Sequence, residues 1–352
     1  MTNAPVLLHD FQILKPPHEA DQERILAWIG AAHTRAEATL HPAATAAERE
    51  ETGQRMAKLV RRFGCGADRI RTRNTFLDDF THTDWGGMRI FRLDRHPHGL
   101  PGGERARFFR ETAEAAFERL FPERDDPPAV LIHVTCTGYV SPSAAQLLVA
   151  RRGWGQATEV LHAYHMGCYA ALPAIRMAAG CLAAGSPARG PSRVDLVHTE
   201  LCSLHLDPAR HDPEQLVVQT LFADGVIRYS ASREAHGPGL ELLAAREEIV
   251  PGTEDAMTWI ASEFGMAMTL SRRVPEHIRD GLGPFLDRLA REAGLPVQAL
   301  REQARFAIHP GGPRIIDEIQ ELLGLRPDQV AASNAVLRDR GNMSSATLPH
   351  VW

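Results

Sequence analysis

Three residues far apart in the chain, Cys168, His309 and Asn342, carry side chains that together can make a carbon–carbon bond. Cys168 follows Gly167 and leads into a run of small and apolar residues reaching Gly180. Apolar positions occupy almost every side of that run, the pattern of a helix buried in the centre of a large domain. Pro173 falls in its first turn or just past it, where a missing backbone donor costs least. The cysteine is therefore expected at or near a helix N-terminus, where unpaired N–H groups and the macrodipole favour thiolate over thiol. A lone cysteine also packs readily as a small hydrophobe. His309 ends an apolar run and is held by Pro310-Gly311-Gly312-Pro313, and Asn342 stands between Gly341 and a helix start. Taken together, the thiolate can accept an acyl group. The imidazole and the carboxamide can donate hydrogen bonds to the thioester carbonyl of a malonyl unit, stabilising the enolate left when carbon dioxide departs. Cys, His and Asn also describe a papain-like protease. That reading expects a Cys-Gly-Ser-Cys-Trp type context near the N-terminus, which is absent.

The elements that must position these residues read as alternating strands and helices. Val6 to Leu14 is a strand, followed by helices from Glu19 to about Ala38 and from Thr45 to Arg62, and by an irregular stretch over 81–103. A helix from Glu104 to about Phe121 precedes the continuously apolar run 129–134, the signature of a central strand covered on both faces. Ser143 to about Arg152 is helical, 158–161 leads into the cysteine element, and a Gly/Pro linker over 185–192 reaches a buried strand at 194–198. Beyond it come a helix over 213–222, a strand over 226–230 and a loop-rich region over 236–254. Helices near 275–293 and 296–304 precede a strand at 306–308, and two further helices are expected over 315–323 and 327–338. The alternation argues for α/β architecture.

Composition narrows the classes. The 352 residues are 44% hydrophobic and 24% charged, and 39 Lys plus Arg against 44 Asp plus Glu leave a net charge of −5, with no global attraction to nucleic acid or an anionic membrane. Five cysteines and no CxxC pair argue against a disulfide framework and a tetrahedral zinc site, so no metal and no resident cofactor is expected. No apolar run reaches the roughly 18 residues of a membrane span; a reducing, cytoplasmic setting is the expectation. A local basic cluster, with Arg61, Arg62, Arg71 and Arg73, suits the phosphates of a coenzyme A or carrier-protein substrate.

Gly167-Cys168 with its helix, Leu221-Phe222-Ala223-Asp224-Gly225, His309-Pro310-Gly311-Gly312-Pro313 and Gly341-Asn342-Met343-Ser344-Ser345-Ala346-Thr347 resemble the motifs of chalcone-synthase-like (type III) polyketide synthases. The intervals agree, 141 residues from Cys168 to His309 and 33 from His309 to Asn342. The resemblance implies a thiolase-like fold. Two duplicated βαβαβ-type halves, 1–205 with the cysteine and 206–352 with the histidine and asparagine, would form a layered α/β/α/β/α sandwich. It implies a homodimer, acyl-CoA and malonyl-CoA as substrates, and Cys168 as the acyl-accepting nucleophile. His309 would hold the thiolate as an ion pair and share binding of the malonyl carbonyl with Asn342. Phe222 would match a gatekeeper between the coenzyme A tunnel and the cavity. A ketoacyl-synthase-III-like enzyme fed by an acyl carrier protein, and a non-catalytic acyl-binding partner subunit, are the alternatives. Thr135 to Pro142 resembles the family's interface-crossing loop, with Tyr139 and Ser141 departing from the plant pattern. His162, Tyr164 and His165 add polarity just ahead of the cysteine, placed either to tune it or to pack. Plant-type chains continue past the Asn helix into a hairpin. This sequence reaches Trp352 in or just after that helix, so two strands of the second sheet are expected outside it.

Overall fold

A computed structural model describes residues 5–184, 193–234 and 237–352; the expected 185–192 linker lies wholly outside the described residues. In chain order the elements are β1 (Val6–Leu14), β2 (His18–Asp21), α1 (Gln22–Leu40), α2 (Ala46–Phe63), β3 (Thr72–Thr75), α3 (Gly102–Leu120), β4 (Val130–Thr135), α4 (Ala144–Arg151), β5 (Glu159–Tyr164), α5 (Ala171–Ala184), β6 (Val194–Leu201), α6 (Pro213–Leu221), β7 (Asp224–Ser232), β8 (Leu240–Leu242), β9 (Met257–Ser262), β10 (Gly265–Leu270), α7 (Val274–Glu292), α8 (Val297–Gln303), α9 (Pro313–Leu323), α10 (Ala331–Arg340) and α11 (Thr347–Val351).

The continuously apolar segments form the middle of one six-stranded sheet in the order β5-β4-β6-β7-β1-β8. β4 runs parallel to β5 and β6, while β6–β7, β7–β1 and β1–β8 are antiparallel. Alternate side chains leave the sheet on opposite faces. Ile132, Val134 and Leu196 pack with Ala174, Ile175 and Ala178 of α5, whereas Leu131 and Val197 pack on the other side with α1, α3 and α4. The cysteine-bearing helix is thus buried against the sheet, as its apolar circumference predicts. Thr45 and Ser143 cap α2 and α4 with complete capping boxes, which is why both helices begin where the sequence places them.

The structure departs from expectation in four places. The divide at 205/206 does not separate two sheets, because β7 and β8, from the second half, pair in register with β6 and β1. Among the described residues the second half otherwise contributes helices and the two-stranded β9–β10 sheet. Residues 306–308 form no strand: Phe306 N–H donates to Gln329 O at 2.8 Å and Ile308 N–H to Ser333 Oγ at 2.9 Å, so their ladder positions go to a turn and a helix side chain. The segment 327–338 is split into a 3₁₀ turn, Pro327–Gln329, and α10. Finally β9 and β10, a hairpin turning at Glu263-Phe264 with Gly265 at φ +117°, was not foreseen.

Candidate active site

Cys168, His309, Asn342 and Phe222 all line one cavity of about 620 Å³. Each arrives by a different piece of local geometry. Gly167 adopts φ +82°, open to glycine at no steric cost, and starts a turn in which Ala170 N–H bonds back to Gly167 O at 3.1 Å. Cys168 sits inside that turn, three residues ahead of the first helical residue, Ala171. Cys136 braces the turn from the β4 side: Gly167 N–H donates to its Sγ at 3.2 Å and its thiol donates to Gly167 O at 3.3 Å. The Cys168 thiol points to Ser344 Oγ, 3.8 Å away.

Asn342 is set by its backbone and its carboxamide oxygen. Gly341, at φ +74°, closes α10 so tightly that an added Cβ would lie 2.9 Å from Leu221 O. Asn342 N–H then bonds Leu221 O at 3.0 Å and Ala223 N–H bonds Asn342 O at 2.8 Å. Its Oδ1 accepts from Ser344 N–H at 2.9 Å and from Thr347 Oγ1 at 3.1 Å, which turns the amide N–H₂ into the group on offer to a ligand. His309 follows the extended 306–308 segment and precedes a tight turn, Gly311 N–H to His309 O at 2.8 Å. Neither of its ring nitrogens has a hydrogen-bond partner or solvent contact. A buried imidazole without partners is costly unless something completes it.

Burial works against charge on both groups. It pushes the Cys168 thiol up to about 12, with the hydroxyl of Ser344 opposing and the carboxylate of Glu200 reinforcing. It draws the His309 imidazole down to about 4. The first helical turn begins beyond the cysteine, so desolvation and the helix dipole pull the thiol in opposite directions.

Glu200, at the end of β6, was missed from sequence. It is fully buried, accepting from Cys136 N–H at 3.1 Å, from Thr137 Oγ1 at 2.7 Å and from Ser345 Oγ, and so ties the Cys136 loop to the Asn342 segment. Its signal was an acid inside an otherwise buried strand. Desolvation raises its carboxyl from 4.5 to about 7, the hydrogen bonds opposing. The folded chain thus keeps a proton that the unfolded chain releases, so stability is expected to fall as pH climbs from about 4.5 to about 7. In Glu200→Gln that part of the slope should vanish, measured by urea unfolding at pH 4 to 8; an unchanged slope would show that Glu200 does not carry it.

The arginines do not converge on the cavity. Arg61 and Arg62 are exposed at the end of α2, with Arg62 over the Phe63 ring, and Arg71 pairs with Asp339 at 3.0 Å. Arg73 is buried, at 4% exposure, and its guanidinium bonds protein atoms, so it is not available to a phosphate on the surface. His162, Tyr164 and His165 bond Ser143 Oγ, His133 Nδ1 and Trp259 O respectively, and of the three His165 lines the cavity.

Residues 241–352 match the family described as chalcone and stilbene synthases, C-terminal domain. The chain is 30% identical over 225 residues to type III polyketide synthase C of Arabidopsis thaliana, covering 63% of this chain and 57% of that protein. It is 31% identical over 219 residues to 1,3,6,8-tetrahydroxynaphthalene synthase of Streptomyces coelicolor, covering 62% and 56%. Probable polyketide synthase 1 of Dictyostelium discoideum matches at 32% over 223 residues, 62% of this chain and 7% of that one. The chain therefore spans little more than half of the first two relatives and a small part of the third. Among solved structures, the C-terminal type III domain of Steely1 from Dictyostelium superposes with a TM-score of 0.77 at 24% identity, covering 99% of this chain and 90% of that one. A polyketide synthase of the brown alga Ectocarpus siliculosus gives 0.79 at 24%, covering 99% and 88%. The last third of the chain thus matches the C-terminal domain of the chalcone and stilbene synthases, and nearly its whole length shares the fold of the type III polyketide synthase structures.

Proposed function

We propose that this protein is an acyl-thioester condensing enzyme, joining an acyl starter to malonyl-CoA by decarboxylative Claisen condensation. The observation that carries the reading is the His309 ring, with two unpartnered nitrogens in the same cavity as Cys168 and an Asn342 whose amide N–H₂ is turned outward. Cys168 loses its proton to His309 and attacks the starter carbonyl; the C–S bond to coenzyme A breaks and the coenzyme leaves as its thiol. Malonyl-CoA then places its thioester oxygen between His309 and Asn342. Its C–C bond to the carboxylate breaks, carbon dioxide departs and the electron pair becomes an enolate held by those two donors. The enolate carbon attacks the acyl carbonyl on Cys168 and expels the sulfur. Many of the cavity's lining residues are apolar, among them Met166, Leu172, Met257 and Met268, a lining suited to an acyl chain.

Coenzyme A thioesters serve as substrates in this reading, and no resident cofactor is invoked. Arg61, Arg62 and Arg71 are exposed but line no part of the cavity, so a role for them with the coenzyme phosphates would be at the surface outside it. A homodimer is supported by the outer edge of β5, the last strand of the sheet, and by Tyr139, 75% exposed on the adjoining loop. No helix of the described residues is long and apolar enough to cross a membrane. Incubation with acyl-CoA thioesters and labelled malonyl-CoA tests the reading: labelled products of one or more extensions are expected. A single β-ketoacyl product would favour the one-step, carrier-protein alternative, and no carbon dioxide release with no product would overturn the reading.

A further inference from the structure

Arg73 lies in the middle of β3, and its side chain is buried behind the cavity wall rather than exposed. Its Nε donates to Gln22 Oε1 at 2.8 Å, and its Nη1 donates to Gln219 O at 2.9 Å and to Phe222 O at 2.6 Å. Those two carbonyls belong to the last turn of α6 and to its cap. Helix carbonyls lack intrahelical partners there and the negative end of the dipole gathers, so a cation is favoured. Phe222 is also paired with Asn342 in an isolated parallel bridge. On the far side of that bridge the arginine stem closes over Gly341, where an added Cβ would come within 3.2 Å of Cγ and Cδ. Burial draws the guanidinium down to about 10, with Cys65 and Asp224 opposing, so it remains a cation at neutral pH.

Resting on the condensing-enzyme reading, we propose that Arg73 is a positioning residue for the decarboxylation step: it fixes the end of α6 and the Phe222–Asn342 bridge, and through them the aim of the Asn342 amide. The guanidinium fork meets three acceptors at once, on Gln22, Gln219 and Phe222. Lysine offers one compact ammonium and cannot span them. The turn that carries Cys168 is braced by Cys136 on Gly167 and meets the Asn342 segment only through the long Cys168–Ser344 contact, so the step that depends on its sulfur alone should not follow Arg73.

The test compares wild type, Arg73→Lys, Asn342→Ala and the double variant in two assays, malonyl-CoA decarboxylation and alkylation of Cys168 by iodoacetamide. Arg73→Lys should lower the decarboxylation kcat about 10- to 100-fold, the scale of an ångström's misplacement, with alkylation unchanged. In the Asn342→Ala background it should cost nothing more, since the group it aims is gone. A merely structural role would lower both assays, or would multiply with the loss from Asn342→Ala; either result overturns the inference. If Arg73→Lys fails to fold, Gln22→Met strips the Nε acceptor while leaving the cavity lining unchanged. It should show the same split with a smaller loss, and wild-type decarboxylation in it would overturn the proposal. An active wild type with unimpaired Arg73→Lys overturns this inference alone. A wild type that releases no carbon dioxide overturns the condensing reading and this inference with it.

Discussion

Cys168→Ala is expected to abolish acyl loading completely, because no other thiol in the cavity can replace it. Cys136 and Cys202 line the same space. Burial holds both far on the thiol side, and Cys136 is further committed to the Gly167 turn, donating to one backbone atom and accepting from another. Burial raises the Cys168 thiol too, so what separates the three is reach: Cys136 and Cys202 are the more deeply buried, and Cys136 is tied into the Gly167 turn. Cys168 is partly exposed and lines the same cavity as the His309 imidazole. Intact-protein mass spectrometry after incubation with an acyl-CoA reads the outcome directly. An acyl adduct of wild-type size in Cys168→Ala would assign the chemistry to another residue.

The second large effect is on carbon dioxide release. His309→Ala or Asn342→Ala should each lower malonyl-CoA decarboxylation roughly 100- to 1,000-fold, the scale on which single donors to a developing oxyanion act in a water-excluded site. The structure gives reasons to expect a full effect from each. Neither ring nitrogen of His309 has a hydrogen-bond partner among the described residues, so its hydrogen-bonding capacity is free for substrate. Asn342 has its oxygen occupied by Ser344 N–H and Thr347 Oγ1, which fixes the face its amide presents. Acyl loading should survive Asn342→Ala, since that step needs the sulfur and a base. Wild-type decarboxylation in either variant would remove that residue from the mechanism.

Much of the positioning was readable from residues. The burial of α5 followed from its all-round apolar sequence, the starts of α2 and α4 from Thr45 and Ser143, and the end of α9 from Gly324, which adopts the left-handed conformation at φ 63°. Local rules decide such features because the interactions span only a few residues. Two short segments escaped for the opposite reason. Residues 306–308 look like a strand but have no neighbour to pair with, and β9–β10 alternates too weakly to be distinguished from loop until it is laid over the cavity. Arg73 was placed in a surface patch by its basic neighbours, and what buried it was the fold of β3 against α6.

By itself, the sequence determined which side chains are available for chemistry, where most helices begin and end, and which apolar segments form the middle of the sheet, since these depend on residue type and short-range periodicity. Tertiary structure alone decided that burial opposes charge on the Cys168 thiol and the His309 imidazole, that Glu200 is joined to the site, and that Arg73 faces inward. Charge state and hydrogen-bond partners depend on desolvation and on contacts between residues far apart in the chain, 176 positions for Cys168 and Ser344; no local pattern encodes such contacts.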